Sequence, residues 1–172
     1  MQNKKTAYLT QAAMIAAAYV ALLYIFAPIS FSAIQVRIAE ALTILPVFTG
    51  AAVPGLFVGC ILGNLLIGSP PPDVIFGSLA NLIGAIFTRM LRNANPYLAP
   101  VPPIVANMLI VPFVLKYAYG AEDAIPFMMV TVGIGEVIAC GVLGMLLYFA
   151  LQKRKDQIFR KQQPETPERE ES

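Results

Sequence analysis

The chain has 172 residues and a formal net charge of +2, and 58% of its residues are hydrophobic while only 13% are charged. Soluble domains have about 45–50% apolar and about 25% charged residues, so this composition argues against a soluble enzyme and against a disordered protein. The sequence has no histidine and only two cysteines, Cys60 and Cys140, so it predicts no metal site and no cofactor. Its charges do not form a basic face with interleaved aromatic residues, which argues against nucleic acid as a partner.

Long runs without charge predict membrane spans, since a transmembrane helix needs about 20 predominantly apolar residues. The predicted helices lie at 7–27, 34–50, 53–69, 74–92, 100–118 and 125–151. These six helices predict an all-α integral membrane protein, with one transmembrane domain over residues 1–152 embedded in the lipid bilayer. Residues 153–172 are charged and contain proline, so they predict a disordered cytoplasmic tail.

The positions of lysine and arginine predict the orientation of the six spans. With both termini in the cytoplasm, an N-in/C-in arrangement, ten of the twelve basic residues face inward. They are Lys4, Lys5, Arg89, Arg92, Lys153, Arg154, Lys155, Arg160, Lys161 and Arg169. Only Arg37 and Lys116 face outward, so the position of Arg37 needs a specific reason.

Small residues recur along two of the predicted helices. In the first helix they are Ala13, Ala17 and Ala21, and in the third they are Gly55, Gly59 and Gly63. Faces of this kind allow helices to approach closely. We interpret the glycine face as packing within the chain, whereas the alanine face is long and flat enough for another protein to dock on it.

The second predicted helix begins with a charged pair, Arg37 and Glu40, which share one face because they are spaced i, i+3. Gln35 comes directly before them. Glu40 would lie about 9 Å into the span at 1.5 Å per residue, in the outer leaflet. An ionisable residue inside a membrane is a candidate functional residue. The alternative is an ion pair between Arg37 and Glu40 that only neutralises itself.

Three asparagines interrupt the apolar third, fourth and fifth helices, and a carboxylate interrupts the sixth. The asparagines are Asn64, Asn81 and Asn107. Each must face the interior of the bundle, either to hold helices together or to contact a ligand. The carboxylate is Glu136, roughly 18 Å from the outer end of its span. The alternatives for Glu136 are a ligand contact and a protonated carboxyl group hydrogen-bonded to a neighbouring helix. Together these side chains could line one pocket for a small neutral or cationic solute.

The stretch Gln35-Val36-Arg37-Ile38-Ala39-Glu40-Ala41-Leu42-Thr43, followed by Leu45-Pro46, resembles the QueT family. These proteins are substrate-binding S components of energy-coupling factor (ECF) transporters linked to queuosine precursors. The resemblance extends over nearly the whole chain, in its size, six spans, N-in topology and alanine-rich first helix. It implies a six-helix S-component bundle in a bacterial plasma membrane.

The resemblance also implies the function and the partners. An S component captures its ligand outside the cell and has no ATPase of its own, so the chain is expected not to be an enzyme. It works with a transmembrane coupling protein and two ATPase subunits, and the face formed by Ala13, Ala17 and Ala21 would dock the coupling protein. The expected ligand is 7-aminomethyl-7-deazaguanine or a close relative.

The candidate residues are chemically suited to that ligand. A guanine-like edge offers N–H donors to one carboxylate, and the cationic aminomethyl group requires a second. Glu40 and Glu136 could fill these two roles, in either assignment. Gln35 and the asparagines could serve the ring carbonyl, and Arg37 could orient Glu40. Tyr19 could stack on the ring or act as an interfacial anchor.

Three other functions stay open on the sequence alone. The chain could be an S component for a different vitamin-like molecule. It could be a membrane scaffold without a small-molecule ligand, in which case neutralising the two glutamates would have no effect. It could also be a carrier that acts alone, but the sequence has no paired broken helices in inverted repeats.

Overall fold

The computed structural model of the chain describes residues 4–30 and 36–154. Gln35 lies outside the described residues, as does the predicted tail from residue 155 onward. Within the described part the chain is helical throughout and contains no strand. The predicted all-α class is therefore confirmed.

Seven α-helices are present in the described residues. They are α1 Lys4–Ile25, α2 Ala27–Ser30, α3 Ala52–Leu66, α4 Pro71–Met90, α5 Val101–Ala118, α6 Ile125–Glu136 and α7 Gly144–Gln152. The 3₁₀ helices are Ile38–Val47, Leu91–Asn93 and Pro96–Leu98, and a π-helical segment, Val137–Leu143, joins α6 to α7.

Four helical segments in the described residues are long and apolar enough to cross a membrane. They are Lys4–Ile25, Pro71–Asn93, Pro96–Ala118 and Ile125–Gln152. The apolar helices Ile38–Val47 and Ala52–Leu66 are shorter. The chain is thus a multi-pass membrane protein, while six complete spans and the N-in/C-in orientation stay predictions.

The predicted α-helix over 34–50 is wrong, because the described part of this segment is the 3₁₀ helix Ile38–Val47. Pro46 lies inside it and cannot donate the backbone hydrogen bond that an α-helix requires. The Thr43 hydroxyl also donates to the Glu40 carbonyl over 2.6 Å, which competes with α-helical bonding of that carbonyl. With three residues per turn, Glu40, Thr43 and Pro46 form one row, and all three are buried.

The glycine face of α3 packs against α1, as the spacing predicts. A Cβ added at Gly55 would lie 2.7 Å from the Ala12 carbonyl oxygen, and one added at Gly59 would lie 3.0 Å from Ala16 Cα. Both positions therefore bring the two helix backbones together. This close contact buries Tyr19 completely between α1, α3 and the 3₁₀ helix.

Basic residues gather at one end of the bundle. There the Arg89 side chain donates to the Pro46 carbonyl over 3.0 Å, and the Tyr8 hydroxyl donates to the Gly50 carbonyl over 3.1 Å. The start of α1, the end of the 3₁₀ helix and the end of α4 therefore meet at this end. It is the end that the distribution of lysine and arginine predicts to be cytoplasmic, and the candidate functional residues lie away from it.

Candidate functional site

Glu40 is the centre of a buried hydrogen-bonded group. Its Oε1 accepts a hydrogen bond of 2.5 Å from the Tyr19 hydroxyl, and the Asn81 amide lies 3.2 and 3.3 Å from its two carboxylate oxygens. The Asn81 amide also lies 3.1 Å from the Tyr19 oxygen. All three residues are at most 2% exposed. Helices α1 and α4 thus position one carboxylate of the 3₁₀ helix from two sides.

Glu136 lies beside Glu40, although the two are 96 positions apart in the sequence. It is the last residue of α6, directly before the π-helical segment, and such segments are frequent at functional sites. Its Oε2 accepts a hydrogen bond of 3.2 Å from the Cys140 thiol, and the buried side chain of Asn107 on α5 lies close to its carboxyl group. Glu136 is 3% exposed.

Ligand atoms of Glu40, Glu136 and Cys140 lie within 4.8 Å of one another. Two like charges at this separation repel each other, and a cation between them relieves that repulsion. The mixed donor set of two carboxylate oxygens and one thiol sulfur does not favour a particular metal, because carboxylates suit hard cations and thiolates suit soft ones. The same arrangement suits an organic ammonium group, which binds through N–H donors.

Arg37 pairs with Asp73, not with Glu40. Its guanidinium lies 3.4 Å from Asp73 Oδ2, and both side chains are buried. The Tyr119 hydroxyl donates to the same oxygen over 2.6 Å. Burial and this hydrogen bond raise the pKa of Tyr119 to about 12, so it remains a donor at neutral pH. Arg37 therefore forms an ion pair with Asp73 of α4, and it does not orient Glu40 through a direct ion pair.

Two weak contacts through Cys60 connect Asn64 to Tyr19, the hydrogen-bond donor to Glu40. The Asn64 amide lies 3.5 Å from the Cys60 sulfur, and the Tyr19 hydroxyl lies 3.5 Å from the same sulfur. Asn64 is therefore not part of the group around the two glutamates, unlike Asn81 and Asn107. It lies instead beside Asp73, since both side chains approach the position of a Cβ added at Gly77.

Sequence reasoning missed four residues of this region. They are Tyr19 as a hydrogen-bond donor, Cys60, Asp73 and Cys140. The Pro-Pro-Asp start of α4 has the pattern of an ordinary acidic first turn, and Cys60 in an apolar run has the pattern of a packing residue, so the sequence does not indicate these two. For Cys140, its i, i+4 spacing from Glu136 could have indicated a contact.

The predicted docking face is exposed. Ala13, Ala17 and Ala21 all lie on the outside of α1. They line a groove of about 750 Å³ between α1 and α3, whose other wall includes Val58 and Leu62. Because alanine has no Cγ atom, the floor of this groove is shallow and apolar.

Comparison with known families gives a match over most of the chain. The family model described as "QueT transporter" matches residues 9–153, which include Glu40, Glu136 and both helices of the alanine groove. Comparison with curated proteins and with solved structures finds no match. The chain therefore belongs to the QueT transporter family, and its role is transport across a membrane rather than catalysis.

Proposed function

We propose that the chain is the substrate-binding S component of an ATP-driven ECF importer. Its ligand is a queuosine precursor, 7-aminomethyl-7-deazaguanine or a close relative, captured from outside the cell. The observation that supports this most directly is the pair of buried carboxylates, Glu40 and Glu136, within 4.8 Å of each other. Family membership supports transport, and the resemblance in the sequence supports this class of ligand.

The chemistry of the pair suits an aminomethyl group. A charge in an apolar interior is costly unless it is paired and hydrogen-bonded, and an ammonium group offers three N–H donors to two carboxylates. Hydrogen bonds from Tyr19, Asn81 and Cys140 already hold the two carboxylates in place. Binding therefore needs little rearrangement of these side chains, and this lowers its entropic cost.

Direct titration tests the proposal. The purified chain in detergent is expected to bind 7-aminomethyl-7-deazaguanine saturably, at about one molecule per chain, because one carboxylate pair accepts one ammonium group. Isothermal calorimetry gives both the affinity and the stoichiometry. Guanine, thiamine and riboflavin are the controls, since guanine has the ring without the aminomethyl group.

The possible outcomes separate the alternatives. Binding of thiamine or riboflavin in place of the deazaguanine would contradict the proposed ligand and would favour an S component for another vitamin-like molecule. A folded sample that binds none of the four compounds would contradict a substrate-binding subunit and favour a scaffold. Uptake of ligand by liposomes that contain this chain alone would contradict the need for ATPase partners.

The exposed groove on α1 and α3 is the proposed contact with the ECF transmembrane coupling protein, to which two ATPase subunits bind. Small side chains at Ala13, Ala17 and Ala21 allow a partner helix to approach closely. Leu62 and Val58 on the other wall offer apolar area to that helix. The assembly lies in the bacterial plasma membrane with both termini of this chain in the cytoplasm.

Ala17→Leu is expected to leave ligand binding intact and to reduce partner-dependent uptake at least about tenfold, since a bulky side chain fills the groove and over-packing an interface costs about 1–3 kcal/mol. Uptake by cells that express the complete transporter, with copurification of the coupling protein, measures this. Ala18→Leu is the matched control, because Ala18 is exposed on α1 but does not line the groove. Equal uptake by the two variants would contradict the docking face.

A further inference from the structure

Asp73 has one carboxylate oxygen that is bonded and one that is not. Oδ2 lies 3.4 Å from the Arg37 guanidinium and accepts a 2.6 Å hydrogen bond from Tyr119. Oδ1 is buried and has no hydrogen-bond partner among the described residues. Asp73 as a whole is 0% exposed. An unpaired buried acceptor costs about 1–3 kcal/mol, so a carboxylate held in this way calls for an explanation.

The side chain of Asn64 has a second unpaired acceptor. Asn64 Oδ1 is also buried without a partner in the described part of the chain, and Asn64 is 0% exposed. The two side chains meet over Gly77, where an added Cβ would lie 3.0 Å from Asp73 Oδ1 and 3.6 Å from Asn64 Nδ2. Glycine at this position lets the Asp73 oxygen lie directly against the backbone of α4. The unpaired oxygen of Asp73 and the unpaired oxygen of Asn64 are each complementary to an N–H donor of a ligand.

The charge balance distinguishes this position from the glutamate pair. The charge of Asp73 is already compensated by Arg37, so a neutral donor edge can bind there without leaving a net charge buried. Glu40 and Glu136 form no ion pair within 4.0 Å in the described residues, so they suit a cation.

Asp73, Gly77 and Asn81 are spaced i, i+4, i+8 on the buried face of α4, about 12 Å from first to last. Asn81 contacts Glu40, so the two subsites follow one another along this face.

We infer that Asp73, with Asn64 beside it, is a specificity-determining residue that accepts the N–H donors of the ligand's purine-like ring. Glu40 and Glu136 together then bind the aminomethyl cation, and the guanine-like edge binds to Asp73 rather than to one of the two glutamates. This inference rests on the proposed function. It adds a third carboxylate to the binding site and predicts that this carboxylate accepts hydrogen bonds from the ring of the ligand.

A pair of ligands tests the assignment. The first is 7-aminomethyl-7-deazaguanine, and the second is the same molecule without the exocyclic 2-amino group. The native chain is expected to bind the first at least about tenfold more tightly, because a site built to accept a donor is left with an unpaired acceptor when that donor is missing. Asp73→Asn is expected to lose most of this preference while it keeps the preference for the aminomethyl group over guanine.

The controls separate recognition from folding. Asp123→Asn makes the same chemical change at an exposed position and is expected to keep the full preference. If Asp73→Asn fails to fold, because Arg37 then loses its partner, the double variant Arg37→Gln, Asp73→Asn removes the buried pair together and is titrated instead. An equal loss of affinity for both ligands would overturn the inference, since a purely structural role has that effect. Equal affinity of the native chain for both ligands would also overturn it, whereas failure of the native chain to bind either ligand would instead contradict the proposed function.

Discussion

Glu136→Gln is expected to weaken binding of 7-aminomethyl-7-deazaguanine by at least about tenfold. Hydrogen bonds to charged groups contribute about 1.5–3 kcal/mol, and 1.4 kcal/mol corresponds to a factor of ten in affinity. The substitution keeps the shape of the side chain but removes the negative charge that the aminomethyl cation requires. Calorimetric titration of the native and substituted chains at one pH measures the difference.

A matched control separates the local effect from the change in total charge. Glu122→Gln removes one negative charge at an exposed position between α5 and α6 and is expected to bind as the native chain does. Affinity of Glu136→Gln within about twofold of the native value would show that Glu136 does not hold the ligand. It would then be a hydrogen-bonded structural residue, which is the alternative that the sequence leaves open.

Gly55→Ala is expected to destabilise the bundle by about 1–3 kcal/mol, the usual cost of over-packing a tight contact. The added Cβ would lie 2.7 Å from the Ala12 carbonyl oxygen, and this backbone atom can move only if α1 moves with it. A displacement of α1 also displaces Tyr19, which donates to Glu40. The substitution is therefore expected to lower ligand affinity as well as stability.

The two free and buried cysteines, Cys60 and Cys140, offer a direct measurement. A thiol-reactive dye labels them when the bundle opens, so the temperature at which labelling begins reports unfolding in detergent. Gly141→Ala is the control, because an added Cβ there would meet only Val137 Cγ1 at 3.7 Å. Alanine stabilises a helix by up to about 1 kcal/mol relative to glycine, so a higher unfolding temperature for Gly55→Ala would contradict the close contact between α1 and α3.

Much of the architecture followed from local patterns. Apolar runs long enough for a bilayer placed the first, fourth, fifth and sixth helices within a few residues of α1, α4, α5 and α6–α7. The spacing of Gly55, Gly59 and Gly63 indicated a face that packs within the chain. The type of helix around Pro46 is harder to predict from sequence, because the choice between an α-helix and a 3₁₀ helix depends on this proline and on the hydrogen bond of the Thr43 side chain.

The sequence by itself also determined which ionisable residues need an explanation, since charge is costly in an apolar span wherever it lies. Arg37, Glu40 and Glu136 are such residues, and Gln35 comes shortly before the first two. The sequence did not determine their partners. A periodic pattern says which side of a helix is buried, but it contains nothing about which other helix lies against that side.

Only the tertiary structure decided how the polar residues are paired. It brings Glu40 and Glu136 together from distant segments and pairs Arg37 with Asp73 rather than with Glu40. It also places the Tyr19 hydroxyl where it donates a hydrogen bond to Glu40. The reason is that hydrogen bonds and ion pairs act over about 3–4 Å, whereas hydrophobic periodicity constrains a helix only to a face. The sequence determined that this is a helical membrane protein with carboxylates in its interior, and the packing of α1, α3, α4 and α6 around the 3₁₀ helix decided which of them form one site.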